Sequence, residues 1–256
     1  MRRLSAEARL LDVVDLHDSD RIVTFLSPEW GTKRGVAKGA KRKFSRFGGQ
    51  LQLLSKAVVG WFEKDHVDLV RIESVELVEP PGELLSDLEG ILIGSYMAEH
   101  LREFAQENED SELYCRLLES TLKAMAESVP RGLALRYFEI WVLRLAGVFA
   151  SPDECAHCGK PILNAGATLS GLSEGISCEE CVPRGSGVLT VGAEAVAFLR
   201  QSETTPLSRL SSPAPRALEE IEQVCRRVRN SFLDHELRSY TVMKSTLQPT
   251  RRAGSR

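Results

Sequence analysis

RIVTFLSPEWGTKRGVAKGAKRKFSR, residues Arg21–Arg46, decides how the first third of the chain folds. The β-branched and aromatic residues of Arg21–Ser27 predict a strand. Pro28-Glu29-Trp30-Gly31 reads as a turn through its proline and glycine. Thr32–Lys38 predicts the next strand, which runs into a loop of glycines and cations. Lys33, Arg34, Lys38, Lys41, Arg42, Lys43 and Arg46 fall within sixteen residues, and no Asp or Glu occurs from Trp30 to Phe62. The whole chain carries a net charge of −3, so this positive charge is local. Phe44 and Phe47 sit among the cations. Positive charge, a glycine-punctuated backbone and aromatic rings suit a polyanion with exposed bases. A run of this kind also serves as a solubilising loop.

Working outward, Glu7–Leu16 predicts a strand with imperfect alternation, joined to Arg21–Ser27 by the polar turn His17–Asp20. Leu51–Phe62 predicts a fourth strand and Val67–Val78 a fifth, with Glu63–His66 as their hairpin turn. Five strands in roughly 75 residues have the rhythm of a small Greek-key barrel, of which the OB-fold is one type. Periodicity alone leaves an SH3-like barrel open. Glu79-Pro80-Pro81-Gly82 breaks the pattern and predicts a boundary. The expected organisation is an α+β chain: a nucleic-acid-binding barrel over 1–80 and an all-α domain over 81–256.

A capping signature, Ser86-Asp87-Leu88-Glu89, opens a predicted helix over Ser86–Asn108. Its inward stripe is expected at Leu88, Ile91, Leu92, Ser95, Tyr96, Glu99 and Leu101. Ser111–Ser128 predicts a second helix with Leu113, Leu117, Leu118, Leu122 and Met125 inward. Pro130 starts a third, to about Gly147, apolar on most sides and therefore expected at a core. Glu79 to Glu127 holds twelve acids against three bases, so these helices are a poor surface for phosphates. Further on, Gly192–Gln201 and Arg216–Leu237 predict helices, the latter with Phe232 on its apolar face.

Cys155-Ala-His-Cys158 is followed after nineteen residues by Cys178-Glu-Glu-Cys181. Each CxxC turn offers two thiolates to adjacent corners of a tetrahedron, and two turns supply all four. Cys155, Cys158, Cys178 and Cys181 are therefore expected to hold a structural Zn2+, inside a zinc-ribbon insertion over 151–190. Four sulfurs leave no open position for catalysis. His157 is expected beside the site or exposed. Cys115 and Cys225 stand alone in helices as small hydrophobes. Paired CxxC motifs with two isolated cysteines suit a reducing compartment better than a disulfide framework.

The sequence carries no Walker A motif, no GxGxxG after a strand, no GxSxG and no HExxH. None of its five histidines stands in a recognisable catalytic setting. A binding module rather than an enzyme is expected. No apolar run reaches the ~18 residues of a membrane span, and the N-terminus lacks a signal-peptide pattern. The expected location is the cytoplasm.

The run GVAKGAKRKFSRFGGQLQ, placed after PEWG, resembles the RecO family of recombination mediators. The order of barrel, helices, CxxC…CxxC and helices is similar too, as is the C-terminal LRSYTVMKS. The resemblance implies an N-terminal OB-fold and a helical domain with a four-cysteine insertion. It implies binding to single- and double-stranded DNA, annealing of complementary strands, and partnership with RecR. It further implies contact with the C-terminal tail of single-stranded DNA-binding protein, help in loading RecA, and association with the nucleoid when on DNA. The basic residues quoted above would then be the DNA contacts. An RNA-binding protein with an OB barrel and zinc ribbon, or a protein-docking scaffold, are the competing expectations.

Overall fold

Alternating apolar residues build the first five strands, and the strands close on one another. The structure, a computed structural model, describes residues 2–63, 69–149, 151–162, 165–169, 175–181 and 188–247. Strands β1 (Arg2–Leu16), β2 (Asp20–Ser27), β3 (Gly31–Ala37), β4 (Lys56–Glu63) and β5 (Val70–Glu79) form a closed barrel in the order β1-β2-β3-β5-β4. β3 and β5 run parallel, through Gly35 beside Val70 and Val36 beside Arg71; the other pairs are antiparallel. This is the expected OB-fold.

β1 starts at Arg2 rather than Glu7 because it serves two neighbours. Arg2–Arg9 pair with β4, and Arg9–Leu16 pair with β2. A bulge between Leu10 and Asp12 accounts for the imperfect alternation: Leu10 and Leu11 are both buried. β4 starts at Lys56 rather than Leu51. Residues before it turn instead, with Leu54 at φ 60° and its N–H donating to Leu10 O at 2.7 Å. The predicted turn Glu63–His66 and the start of the predicted fifth strand fall largely on residues 64–68, outside the described residues. Inside the barrel, Phe25, Phe47, Val59, Trp61 and Ile72 are fully buried. The Phe25 and Trp61 rings lie 5.3 Å apart, a tilted contact that adds to burial.

After a short 3₁₀ turn at Glu83–Ser86 comes α1 (Leu88–Phe104). Asp87, not Ser86, caps it: its carboxylate accepts from Gly90 N at 2.8 Å. Position 90 admits only glycine, since a Cβ there would lie 1.6 Å from Leu84 O. The inward face is Leu92, Ile93, Tyr96, Met97, Leu101 and Phe104. The expected stripe is therefore rotated, with Leu88 and Ile91 exposed. α1 packs on β1 and β2, where Leu11 and Leu26 are buried outside the barrel's inner cluster. α6 (Arg238–Leu247) packs on α1. Glu99 of α1 accepts from Ser239 N at 2.8 Å, from Arg238 N at 3.3 Å and from the Ser239 hydroxyl. One carboxylate thus satisfies the free N–H groups at the start of α6 and faces the positive end of its dipole.

The chain divides into two compact units, residues 1–119 with 237–256, and residues 120–236. The division falls within α2 (Glu112–Ala126), on which Leu117 and Leu118 are buried but Leu113 is exposed, against expectation. In the second unit, α3 (Arg131–Leu145) packs on the helix at Pro215–Leu233. α3 is a core helix, as expected, yet it carries buried charge. Arg136 Nε lies 2.9 Å from Glu139, and its Nη1 lies 2.9 Å from Glu222. Three short strands follow, β6 (Ala167–Leu169), β7 (Ile176–Cys178) and β8 (Leu189–Val191), forming a sheet in the order β7-β6-β8. α4 (Ala193–Thr204) and α5 (Pro215–Leu233) complete the unit. α5 ends at Asp234, whose φ of 59° breaks the helix; Phe232 is exposed rather than inward. Among the described residues, no helix is long and apolar enough to cross a membrane.

Replacing Glu99 with Ala removes the cap of α6 and is expected to cost about 1–2 kcal/mol. Urea unfolding measures the loss, and faster hydrogen exchange confined first to residues 238–247 identifies its source.

Candidate nucleic-acid interface and metal centre

β3 decides where its cations point, because side chains alternate across a strand. Gly31, Lys33, Gly35 and Ala37 are buried, and Arg34 is exposed. Lys33 is only 1% exposed. Its ammonium lies 2.7 Å from Glu63 Oε1, 3.1 Å from Glu107 Oε1 and 2.5 Å from Asn108 Oδ1. An ammonium has three donors, and all three are used. Lys33 is therefore removed from the expected DNA contacts: it ties the barrel to the loop after α1. The backbone follows the same line, with Thr32 N donating to Gln106 O at 3.2 Å.

The other cations face outward. Arg34, Lys38, Arg42 and Lys43 are exposed and make no ion pair among the described residues. The loop that carries them is a series of tight turns. Arg42 N donates to Gly39 O at 3.1 Å, and Ser45 N to Arg42 O at 3.0 Å. Gly39 has φ 74°, a conformation that favours glycine. Its N–H donates to the Asp20 carboxylate at 2.8 Å, while Lys41 N donates to Ser19 O at 3.0 Å. The β1–β2 turn thus pins the start of the basic loop. That backbone hydrogen bond, with help from Ser19, Lys38 and Arg42, holds the Asp20 carboxyl below its ordinary range despite a desolvation contribution in the other direction.

Lys41 lies 2.9 Å from Asp15 and 3.3 Å from His17 O, so a phosphate reaching it competes with an existing partner. Arg46 lies over the Phe47 ring at 4.9 Å and reaches Ile72 O at 3.4 Å. Phe47 is fully buried in the barrel core and anchors the loop. Phe44 is 92% exposed, with Lys43 5.7 Å from its ring centre. It is the ring available for stacking on a base.

Arg71 was not legible as part of this surface. It lies 25 residues beyond Arg46 in sequence. The parallel pairing of β3 with β5 places it beside Val36, between Arg34 and Lys38 on the outer face, and it is exposed. Only the register of a long-range strand pair reveals that.

The four cysteines come together. The Sγ atoms of Cys155, Cys158, Cys178 and Cys181 lie within 4.8 Å of one another. A tetrahedral zinc with Zn–S bonds of ~2.3 Å requires Sγ–Sγ edges of about 3.8 Å. Cys158 and Cys178 are already 3.9 Å apart. The first turn closes through Gly159 N donating to Cys155 O at 2.9 Å, with Gly159 at φ 69°. The second closes through Cys181 N donating to Cys178 O at 3.1 Å. β7 supplies Cys178, and its N–H donates to Cys155 Sγ at 3.3 Å. Burial opposes ionisation of Cys155, yet N–H groups of Cys178, Cys158 and His157 bring it down to about 5. Hydrogen bonds from Cys158 and Cys178 push the Cys181 thiol up. A cluster that stabilises one thiolate and resists the last suits a cation that neutralises all four. His157 is exposed. Cys115 and Cys225 are buried elsewhere, and burial raises the Cys115 thiol to about 12. Residues 170–174, between the two CxxC turns of the expected insertion, lie outside the described residues.

Two family models match this chain. "Recombination protein O N terminal" matches residues 1–81, and "Recombination protein O C terminal" matches residues 85–241. The chain is 32% identical to the DNA repair protein RecO of Anaeromyxobacter sp. (strain K) over 239 residues, covering 93% of this chain and 92% of that one. It is 32% identical to the DNA repair protein RecO of Geobacter metallireducens over 199 residues, covering 78% and 80% respectively.

Lys33→Met removes a buried charge whose partners are partly exposed, so the expected cost is about 1–3 kcal/mol. Urea unfolding should register it, while single-stranded DNA affinity at moderate salt stays at the wild-type value. Cys178→Ser is expected to lower bound metal, measured by elemental analysis of the purified protein, and to loosen residues 151–181 to proteolysis.

Proposed function

The chain belongs to the RecO family of DNA repair proteins, and from that premise we propose that it is a recombination mediator that binds DNA through its basic loop. Arg34, Lys38, Lys41, Arg42, Lys43 and Arg46 form the contact surface, with Arg71 added from β5 and Lys33 withdrawn. The observation that carries this reading is the exposed, largely unpaired charge on the loop beside the solvent-facing Phe44. An OB barrel commonly presents such loops to single strands.

The physics of annealing follows from charge. Two complementary strands repel, and cations that neutralise their phosphates lower that repulsion and release counterions. The loop reaches backbone phosphates, which carry no sequence information, so sequence preference is weak. Phe44 stacks on whichever base is presented. Double-stranded DNA binds through the same phosphates.

Family membership supports a wider role as part of this proposal. The protein partners RecR, meets the C-terminal tail of single-stranded DNA-binding protein, and helps load RecA onto coated DNA in repair and homologous recombination. It acts in the cytoplasm, on the nucleoid, and not as an enzyme. Residues 1–80 form the DNA-binding barrel and 81–256 the helical domain. The metal held by the four cysteines is Zn2+, which staples the insertion over 151–190 and takes no part in chemistry.

Four simultaneous phosphate contacts on single-stranded DNA predict a slope of log K against log salt of about −3. Replacing Lys41, Arg42 and Lys43 together with Ala is expected to weaken binding to every sequence and to flatten that slope by about 2. Fluorescence anisotropy with labelled oligonucleotides across a salt series measures both. A variant with unchanged affinity and slope sinks the assignment, and preference for structured RNA in competition favours an RNA-binding protein instead.

A further inference from the structure

The first unit holds a cavity of about 570 Å³, bounded by β1, the start of β2, the segment after the basic loop, α1 and the start of α6. Leu11, Val13, Leu51 and Leu53 supply its apolar lining; Arg21, Arg102 and Arg238 bring three cations to it, and Asp12 and Glu99 two carboxylates. These three arginines come from three distant parts of the sequence. Arg102 pairs with Asp12, and Arg21 lies 3.2 Å from Asp15. The Arg238 guanidinium has no partner among the described residues; only its backbone N–H is engaged, by Glu99. Its backbone is held in place, because Glu99 clamps the first turn of α6.

The cavity adjoins the basic loop. Asp15 bridges them, with one oxygen 2.9 Å from Lys41 Nζ and the other 3.2 Å from Arg21 Nε. Cations therefore recur from the loop through Lys41 and Arg21 to Arg238, with Asp15 between the first two and Asp12 and Glu99 in the cavity wall. A phosphate arriving between Lys41 and Arg21 meets two cations that now share one carboxylate.

Leucine side chains beside an unpartnered guanidinium suit an amphiphilic anion, and the volume is that of an ordinary small-ligand site. A nucleotide has both parts. Its base presents a flat face to the leucines, and its phosphate matches the planar fork of a guanidinium. We propose that the cavity receives one nucleotide of a single strand whose neighbouring phosphates lie on the basic loop. The proposal rests on the reading of that loop as the DNA contact and adds a fixed point to it. A base taken out of the stack sets the register of the strand on the protein. It also interrupts the stacking of the bases on either side, leaving their pairing edges open to a complementary strand.

The test uses the full chain and a labelled oligonucleotide of roughly 12 thymidines, within the site sizes of such barrels. Ser95→Trp fills the cavity from α1, and Arg238→Gln removes the unpartnered cation from α6. Each is expected to weaken binding by about tenfold, the loss of one stacked base or one charge-assisted contact. Thermal unfolding confirms that both variants fold. With 5-iodouracil in the strand, crosslinks are expected at residues 51–53 or 238–239 in the wild type and are lost in Ser95→Trp. Wild-type affinity in both cavity variants, alongside weakened binding in the Lys41, Arg42 and Lys43 triple variant, overturns the cavity proposal and leaves the loop reading intact. Unchanged binding in the triple variant overturns the loop reading and this proposal with it. Cavity variants that bind the strand normally but lose an acidic peptide show the cavity to be a protein-docking site, which overturns the proposal as well.

Discussion

The barrel closes where β3 meets β5, and that closure leaves no room for a side chain at position 35. A Cβ there would lie 2.7 Å from side-chain atoms of both Val70 and Ile72. Gly35 lets the parallel strands approach, and their pairing at Gly35–Val70 and Val36–Arg71 sets the register of β3 within the barrel. The register in turn sets which cations are available. Position 33 shares the inner face with position 35, so Lys33 points inward and finds three oxygen ligands. Positions 34 and 38 share the outer face, where Arg71 joins them. One steric requirement thus separates a structural lysine from its basic neighbours.

The barrel was legible because β-branched and aromatic residues mark its strands, and because turn residues mark their ends. The four-cysteine site was legible because a CxxC turn fixes local geometry regardless of the rest of the fold. Lys33 was not. Within a run of seven cations it looks like the others, and its partners Glu63, Glu107 and Asn108 are remote in sequence. The strand period, applied to Thr32–Lys38, would have separated Lys33 from Arg34 but could not have named which of them faced inward. The face of α1 was misplaced for a related reason. Apolar residues occur on more than one of its faces: Leu88 and Ile91 are exposed while Ile93 and Met97 are buried, and only the packing partners decide between them. Arg71 and the arginines of the cavity depend on contacts between distant segments, which no local pattern records.

The two halves of the molecule meet the problem of charge differently. The loop keeps its cations at the surface, where they are hydrated and free to exchange water for phosphate. The second unit buries some of its charge. Arg136 lies between Glu139 and Glu222, and Arg144 lies 2.9 Å from Glu203 and donates to Leu199 O at 2.7 Å. Such buried pairs contribute little net stability against an apolar alternative. Breaking one leaves an uncompensated charge, which disfavours alternative packings of α3, α4 and α5. The cysteine cluster also has a defined geometry: four sulfurs within 4.8 Å of one another, an arrangement that suits a metal ion.

Glu99 reaches across from α1 to hold the first turn of α6, which follows it by more than a hundred residues. The first unit is therefore built from the two ends of the sequence, with the second unit intervening. Chains are synthesised from the N-terminus, and folding begins as they emerge. β1 to β5 and α1 can assemble early, but Tyr96, which lies 5.6 Å from Tyr240, waits for the last helix. Until α6 is made, Glu99 has no helix to cap and part of the apolar face of α1 stays in water. The order of synthesis thus makes completion of the first unit a late event, after the second unit has emerged.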